Sequence, residues 1–591
     1  MQMHRFALAL FASLVLLPTS TGRAEEPLAV LPAETALVVR MSSLDKFAGN
    51  FKEMVSALGP VANPAAEGIE RGLNEMFKIG ADGEAIDRTV PAYLAAFPLE
   101  GGPEPVVRIV KAADEAKLRR AVLGAGADDK LTAEKHDSGF EKVSKDGHDW
   151  YFARRGEWVL YTEREQVAKS LAFDSAQQPT LASSFGARAV ELAAEGDAAV
   201  LINIARLIEV YGDKLDEQRD KLRRQIDNLP KEFLGGDSSA IDPRATKKMY
   251  SDLAELLINA VYDARWAAGR VNFTSAGVTL AAAIDVKADT VTSDLVTENP
   301  PTAFETLGLL PAGAPIYYAY SSYPPSLVDW RRDWLKLAYG EDTDATKKLL
   351  SALEASLAAE ATTTVGSLAF PSGVDTALTT VTLRQAQDPE KLRGSVTVYE
   401  PAANQQDTPL FSQSVEVTAN VETYQQRVVD LMTTRFKFKD VADPGQAIGQ
   451  KFLQKLFGGD EVQTRLTTLE GVLVEAGGND PKYLRSAVDR LQTGENVLGL
   501  DEAYAITRDQ LPETANAILL LDAPRLIVDL IGIFKTIPPI DMFLAQAPLN
   551  LGAQPATSYA GISLATQPQG LRLDAYIPVT QPKGVLRIFG Q

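Results

Sequence analysis

The sequence predicts an α+β protein of two tandem, related modules, each built of antiparallel β-meanders with amphipathic helices packed on the sheet. Three observations predict it: strand-like runs joined by tight-turn signals, strands that pass directly into amphipathic helices, and segments that recur in the same order in both halves of the 591-residue chain.

The meanders are clearest from Phe140 to Thr162, where apolar and polar residues alternate and Asp146-Gly147 and Arg155-Gly156 interrupt the alternation. Loops this short join antiparallel neighbours, because parallel strands need a long crossover. Strand-to-helix passages run from Ala36–Met41 into Leu44–Leu58 and from Ala198–Ile202 into Ala205–Tyr211. Helices laid on an antiparallel sheet define the α+β class and argue against a doubly wound parallel sheet.

The recurrence begins with Leu31-Pro32-Ala33, which returns as Leu310-Pro311-Ala312, and Ala96-Phe97-Pro98, which returns as Ala369-Phe370-Pro371. Glu115-Ala116-Lys117-Leu118-Arg119 is echoed by Pro389-Glu390-Lys391-Leu392-Arg393, and the run from Asp197 to Ile202 by that from Asn516 to Leu521. Near the ends, Gly277 to Val286 matches Gly570 to Val579, with identities at Leu280, Ala282, Ile284 and Val286. Those identities fall on alternate residues, one face of a strand, so this stripe is expected to be packed and Thr279, Ala281, Ala283 and Asp285 to face solvent. Asn299-Pro300-Pro301 breaks both helix and strand between the copies. The expected division is 1–24, 25–299 and 300–591, with a helical insertion near 212–236 in the first module and another insertion within 401–466 in the second.

The first segment reads as a secretory leader. Arg5 precedes an apolar run from Phe6 to Leu17, and Gly22-Arg23-Ala24 offers small residues for cleavage between Ala24 and Glu25. A run of 12 residues falls short of the roughly 20 that a membrane span needs. Ala515–Leu544, the most apolar later region, is interrupted by Asp522, Arg525, Asp529 and Lys535. No transmembrane segment is expected, and the destination is the periplasm or the extracellular space. The absence of cysteine removes disulfides and thiolate metal sites. Losing Arg5 and Arg23 leaves 57 basic against 78 acidic residues, a formal charge of −21, and a field of that sign repels nucleic acid.

No motif specifies catalysis, a cofactor or a metal. His136 and His148 stand in His-Asp pairs in a polar hairpin, without the spacing of a ligand set. Gly561-Ile562-Ser563-Leu564-Ala565 lacks the second glycine of a nucleophile elbow. Asp342-Thr343-Asp344 opens like a calcium loop but has Lys347 where glycine is required. Surfaces for partners are sought instead in the insertions: Leu215, Leu222 and Leu229 recur every seven residues on a charged helix, and Phe436, Phe438, Phe452 and Phe457 mix with lysines. Tyr317, Tyr318, Tyr320, Tyr323, Trp330 and Trp334 form a further aromatic group. The functional expectation is an exported cell-envelope protein that binds or spaces a ligand without catalysis. The alternatives are a periplasmic carrier of an apolar or lipid-like ligand, and a hydrolase using carboxylates or His148.

Overall fold

The computed structural model describes residues 28–29, 31–80, 83–98, 105–136, 139–172, 179–230, 241–322, 324–370, 378–407, 411–439, 444–538, 540–547, 549–551 and 556–590. Ala24, Glu25, Asp137 and Tyr323 lie outside the described residues. The chain forms two compact units, the first of residues 1–216, 260–290 and 569–580, the second of 217–259, 291–568 and 581–591.

In chain order, β1 (Leu37–Met41) leads through Ser43 into α1 (Leu44–Leu58) and α2 (Asn63–Phe77). Ser43 is extended and its hydroxyl accepts from the Lys46 N–H, which stops the strand and starts the helix. There follow β2 (Ala92–Ala96), β3 (Val106–Lys111), α3 (Glu115–Val122), β4 (Thr132–Lys135), β5 (Glu141–Lys145), β6 (His148–Arg155) and β7 (Trp158–Thr162). Asp146 and Gly147 both take positive φ, 51° and 81°, the two-residue turn that matches strand twist between β5 and β6. Next come α4 (Glu165–Ser170), α5 (Ala187–Ala194), β8 (Ala198–Ile202), α6 (Ile204–Asp227), α7 (Pro243–Asp263), β9 (Ala264–Phe273) and β10 (Gly277–Val286).

The second series runs α8 (Val291–Glu298), β11 (Ile316–Ser321), α9 (Pro325–Tyr339), α10 (Asp344–Ala358), β12 (Ala361–Ala369), β13 (Thr379–Ala386), α11 (Pro389–Ala403) and β14 (Gln406–Asp407). It continues with β15 (Phe411–Tyr424), β16 (Arg427–Phe438), α12 (Pro444–Phe457), β17 (Glu461–Leu469), β18 (Val472–Gly477), α13 (Lys482–Thr493) and α14 (Glu502–Arg508). The last elements are β19 (Ala517–Leu521), α15 (Ala523–Phe534), α16 (Ile540–Gln546), β20 (Ala560–Gln567), β21 (Gly570–Pro578) and α17 (Thr580–Ile588).

Among the described residues every strand pair is antiparallel. In the first unit the strand order is β4-β5-β6-β7-β3-β2-β1-β8-β9-β10-β21. In the second it is β14-β15-β16-β17-β18-β13-β12-β11-β19-β20. Mixed helix and antiparallel sheet is the α+β class. The first core gathers Phe47, Phe77, Tyr93, Ile109 and Tyr161, with the Tyr161 hydroxyl donating to the Phe77 carbonyl at 2.5 Å. The second gathers Tyr317, Ile518, Leu520, Val474 and Leu484, with Tyr317 edge-on to Tyr559 at 5.5 Å.

One expectation is reversed. Ile284 and Ile577 are 38 % and 40 % exposed, whereas Ala281, Ala283 and Asp285 are buried, as are Asp574 and Tyr576 on β21. Of the stripe expected to pack, Ile284 and its counterpart Ile577 face out, while Leu280 packs against the first core and Val286 is buried. The reason is α5, which lies across β8, β9 and β10; small alanines admit it, and the acids beneath it are neutralised by arginines rather than by water. Gly277 pairs with Pro578 and Gly570 with Asp285, so the β10–β21 pair is centred on Ala281 and Asp574.

Candidate functional site

On the second unit's sheet, residues in register share a face and successive residues alternate faces. One face carries Tyr317, Ile518 and Leu520 into the core. The other is crossed by three rows of side chains. The first runs Thr380, Leu368, Ile316, Leu521, Ala560. The second runs Glu475, Thr382, Gly366, Tyr318, Leu519, Ile562, and the third Arg384, Thr364, Tyr320, Ala517, Leu564.

From β12 to β20 none of these positions is charged. Leu519 is 43 % and Ile562 47 % exposed, and Tyr320 and Leu564 are exposed beside them. Fully burying a leucine or isoleucine stabilises by about 1.5–3 kcal/mol, so Leu519, Ile562 and Leu564 left half out forgo on the order of 2–4 kcal/mol that a covering molecule recovers. A contiguous apolar patch of this kind marks an interaction surface, whereas single exposed leucines do not.

The apolar rows end in polar groups. Gly366 has no side chain, and the Tyr318 ring lies over it: a Cβ there would stand within 3 Å of three Tyr318 ring and hydroxyl atoms. The gap lets the Tyr318 hydroxyl reach Thr382 Oγ1 at 3.0 Å on the strand beyond. Tyr320 stacks on Tyr318 with centroids 6.3 Å apart. Behind Thr382, the Arg384 guanidinium is ion-paired with Glu475, its Nε 2.7 Å from one carboxylate oxygen and its Nη2 donating to the other at 3.2 Å. Burial pushes the Glu475 carboxyl up, with Arg384 opposing and Glu400 of α11 adding to the rise. Burial likewise raises Glu400, against Arg384, Asn404 and Arg331. Further along the same face α11 takes over as cover, placing Leu392 and Val396 on Leu473, Leu466 and Met432.

The sequence-predicted residues are dispersed. Leu215 is half-buried on α6, Leu222 is exposed, and Leu229 lies beyond the helix, so the buried member of that seam is Ile226. Phe436 is buried and stacked on Phe457 at 4.8 Å, with Phe438 and Phe411 around it, which fixes α12 to β16. Phe452 stacks on Phe534 of α15 at 4.9 Å. Trp330 donates to Asp252 and Trp334 to the Ala245 carbonyl, joining α9 to α7. Of the aromatic group, Tyr317 goes to the core and Tyr318 and Tyr320 to the site. The site residues that sequence reasoning passed over are Gly366, Thr382, Arg384, Glu400 and Glu475; an isolated glycine inside the β12 strand pattern was the one available signal.

The histidines are not brought together. His136 borders a cleft of about 530 Å³ in the first unit with Glu115, Arg119, Glu141 and Arg154, and its Nε2 lies 3.4 Å from Glu165. His148 opens β6 four residues before Phe152, about 13 Å away along the strand. In that cleft Arg119 pairs with Glu141 at 2.5 Å and Arg154 with Glu115 at 2.7 Å. Ser563 is buried within β20, and Thr343 caps α10 by accepting from the Thr346 N–H. Among the described residues no three His, Asp or Glu are grouped to hold a metal, and no helix is long and apolar enough to cross a membrane.

No protein-family model matches this chain, no curated protein is significantly similar to it, and no solved structure matches it. The functional reading therefore rests on the geometry alone.

Proposed function

We propose that the chain is an exported binding protein whose second unit holds an amphipathic ligand, its apolar part against Leu519, Ile562, Leu564 and Tyr320 and its polar part toward Tyr318, Thr382 and the Arg384–Glu475 pair. The observation that carries this is the uncharged, half-exposed patch running without interruption into a buried ion pair. Surface strands ordinarily turn polar residues outward. The reading unites the expectation of an envelope binding protein with that of an apolar-ligand carrier, and the leader expected from the sequence, ending at Ala24, supports delivery outside the cytoplasm.

The two units are further proposed to be copies of one module. In support, β4-β5-β6-β7-β3-β2-β1-β8-β9 and β15-β16-β17-β18-β13-β12-β11-β19-β20 follow the same spatial order with the same connections. In further support, the units differ in length within this common order: α12 stands between β16 and β17, and α6 and α7 have 24 and 21 residues against 12 and 7 for α15 and α16.

Organic extraction of the full chain, exported with its own leader, followed by untargeted mass spectrometry tests the reading. A stoichiometric amphipathic molecule, on a protein whose N-terminus is Glu25, is the expected result. Protein that carries no such molecule, and that shows no saturable binding of an apolar fluorophore, would remove it.

A further inference from the structure

We propose that the first unit carries an oxyanion-binding site on the buried face of β9, β10 and β21, roofed by α5 and specific for a phosphate or carboxylate group. Two rows define it. Arg270, Ala281 and Asp574 are in register, and so are Ala268, Ala283 and Arg572. The central strand contributes only methyl groups: Ala283 and its neighbour Ala268 belong to the same packed cluster as Ala189 and Ala193 of α5, an alanine floor beside which stand the charged side chains of Arg270, Arg572 and Asp574.

Arg188 comes from the first turn of α5, close to Arg572, Asp285 and Asp574. Its Nη2 is buried without a hydrogen-bond acceptor among the described residues, and so is the Thr279 hydroxyl, which stands one row further along β10 on the same face. Asn272, in register with Thr279, also has an unmatched amide oxygen, and an amide can present its nitrogen by turning over.

The charges around the floor do not balance. Asp574 is held by both arms of Arg572 at 2.7 Å, Asp285 by Arg265 at 2.5 Å, and Glu195 by Arg270. That leaves Arg188 as the fourth guanidinium against three carboxylates. Burial and the neighbouring Arg572 both weaken its hold on a proton, and Arg270 is affected in the same way. An oxyanion supplies the missing negative charge and accepts from both donors that lack partners. Guanidinium groups suit phosphate and carboxylate because their planar forks match either geometry.

Equilibrium dialysis of the full chain at fixed ionic strength, with radiolabelled inorganic phosphate in one arm and citrate in the other against a chloride background, decides the matter. One saturable equivalent of either anion is expected, and whichever binds tighter names the class. Arg188→Gln should weaken binding tenfold or more, Arg188→Lys less, and Thr279→Ala about threefold to tenfold. Thr279→Ala remains informative should Arg188→Gln fail to fold. Absence of saturable binding in both arms, or binding unchanged in both Arg188→Gln and Thr279→Ala, would overturn the proposal.

Discussion

Two regions of this molecule invert the usual distribution of side chains, in opposite directions. On the second unit, Leu519, Ile562 and Leu564 stand outward on a sheet whose other face is the core. On the first, Asp285 and Asp574 are buried under a helix while Ile284, Leu573 and Ile577 on the same two strands face out. The difference is one of what each inversion costs. Exposed apolar area forgoes a stabilisation that any apolar molecule can return, whereas buried charge is tolerable only while every partner stays in place. The first is the surface proposed to bind; the second is a network that single substitutions should damage.

The largest effect should therefore come from the buried network. Asp574→Ala leaves Arg572, whose side chain is 37 % exposed, without its carboxylate beside Arg188 and Arg270, so the cost is expected at the lower end of the roughly 3–5 kcal/mol of a broken buried pair. Denaturant unfolding should show that loss in the first unit's transition. A cost below about 1 kcal/mol would mean that the network is solvated.

Gly366→Ala should come next. The added Cβ meets the Tyr318 ring, so the tyrosine must leave Thr382, and overpacking of this kind costs about 1–3 kcal/mol. Apolar-fluorophore affinity should fall with the melting temperature. Unchanged affinity in a destabilised variant would separate Tyr318 from the binding surface.

A smaller effect distinguishes the residues that precede β8 and β19, Asp197 and Asn516. Asp197 is fully buried, accepting from Ser42 and Asn50, and burial pushes its carboxyl up to about 7. Asn516, which the proposed duplication sets at the corresponding position, is an amide that both donates, to Asn299, and accepts, from Thr566. Because the folded-state value lies above the ordinary one, the folded protein binds the extra proton between about pH 4 and 7, and stability is expected to fall as pH rises through that window. Asp197→Asn should flatten the decline and raise the melting temperature at pH 8 by a few degrees. A variant that melts lower at pH 8 would show that the charge is stabilising, and would weaken the equivalence of the two corners.

The fold was legible where chemistry is local. Asp146-Gly147 specified its turn, the passage from Ala36–Met41 into Leu44–Leu58 became β1 and α1, and the meander from Phe140 to Thr162 became β5, β6 and β7. Alternation along β10 revealed that two faces exist but could not say which was packed, because alanine suits either and the covering helix lies about 90 residues earlier in the chain. Buried acids such as Asp285 read as a solvent face until Arg265 is placed beside them. The candidate site was legible only in Tyr318 and Tyr320. Arg384, Glu475 and Glu400 are brought together from β13, β18 and α11, and no local pattern encodes that meeting.

The central claim, that the outward face of the second sheet is a binding surface, is tested most directly by titrating an apolar fluorophore into the wild type and into Leu519→Gln/Ile562→Thr. Both side chains are exposed, so stability should change little for either substitution. The account predicts saturable binding by the wild type and at least a tenfold loss of affinity in the variant with the melting temperature nearly unchanged. Equal affinity in the two proteins would contradict it.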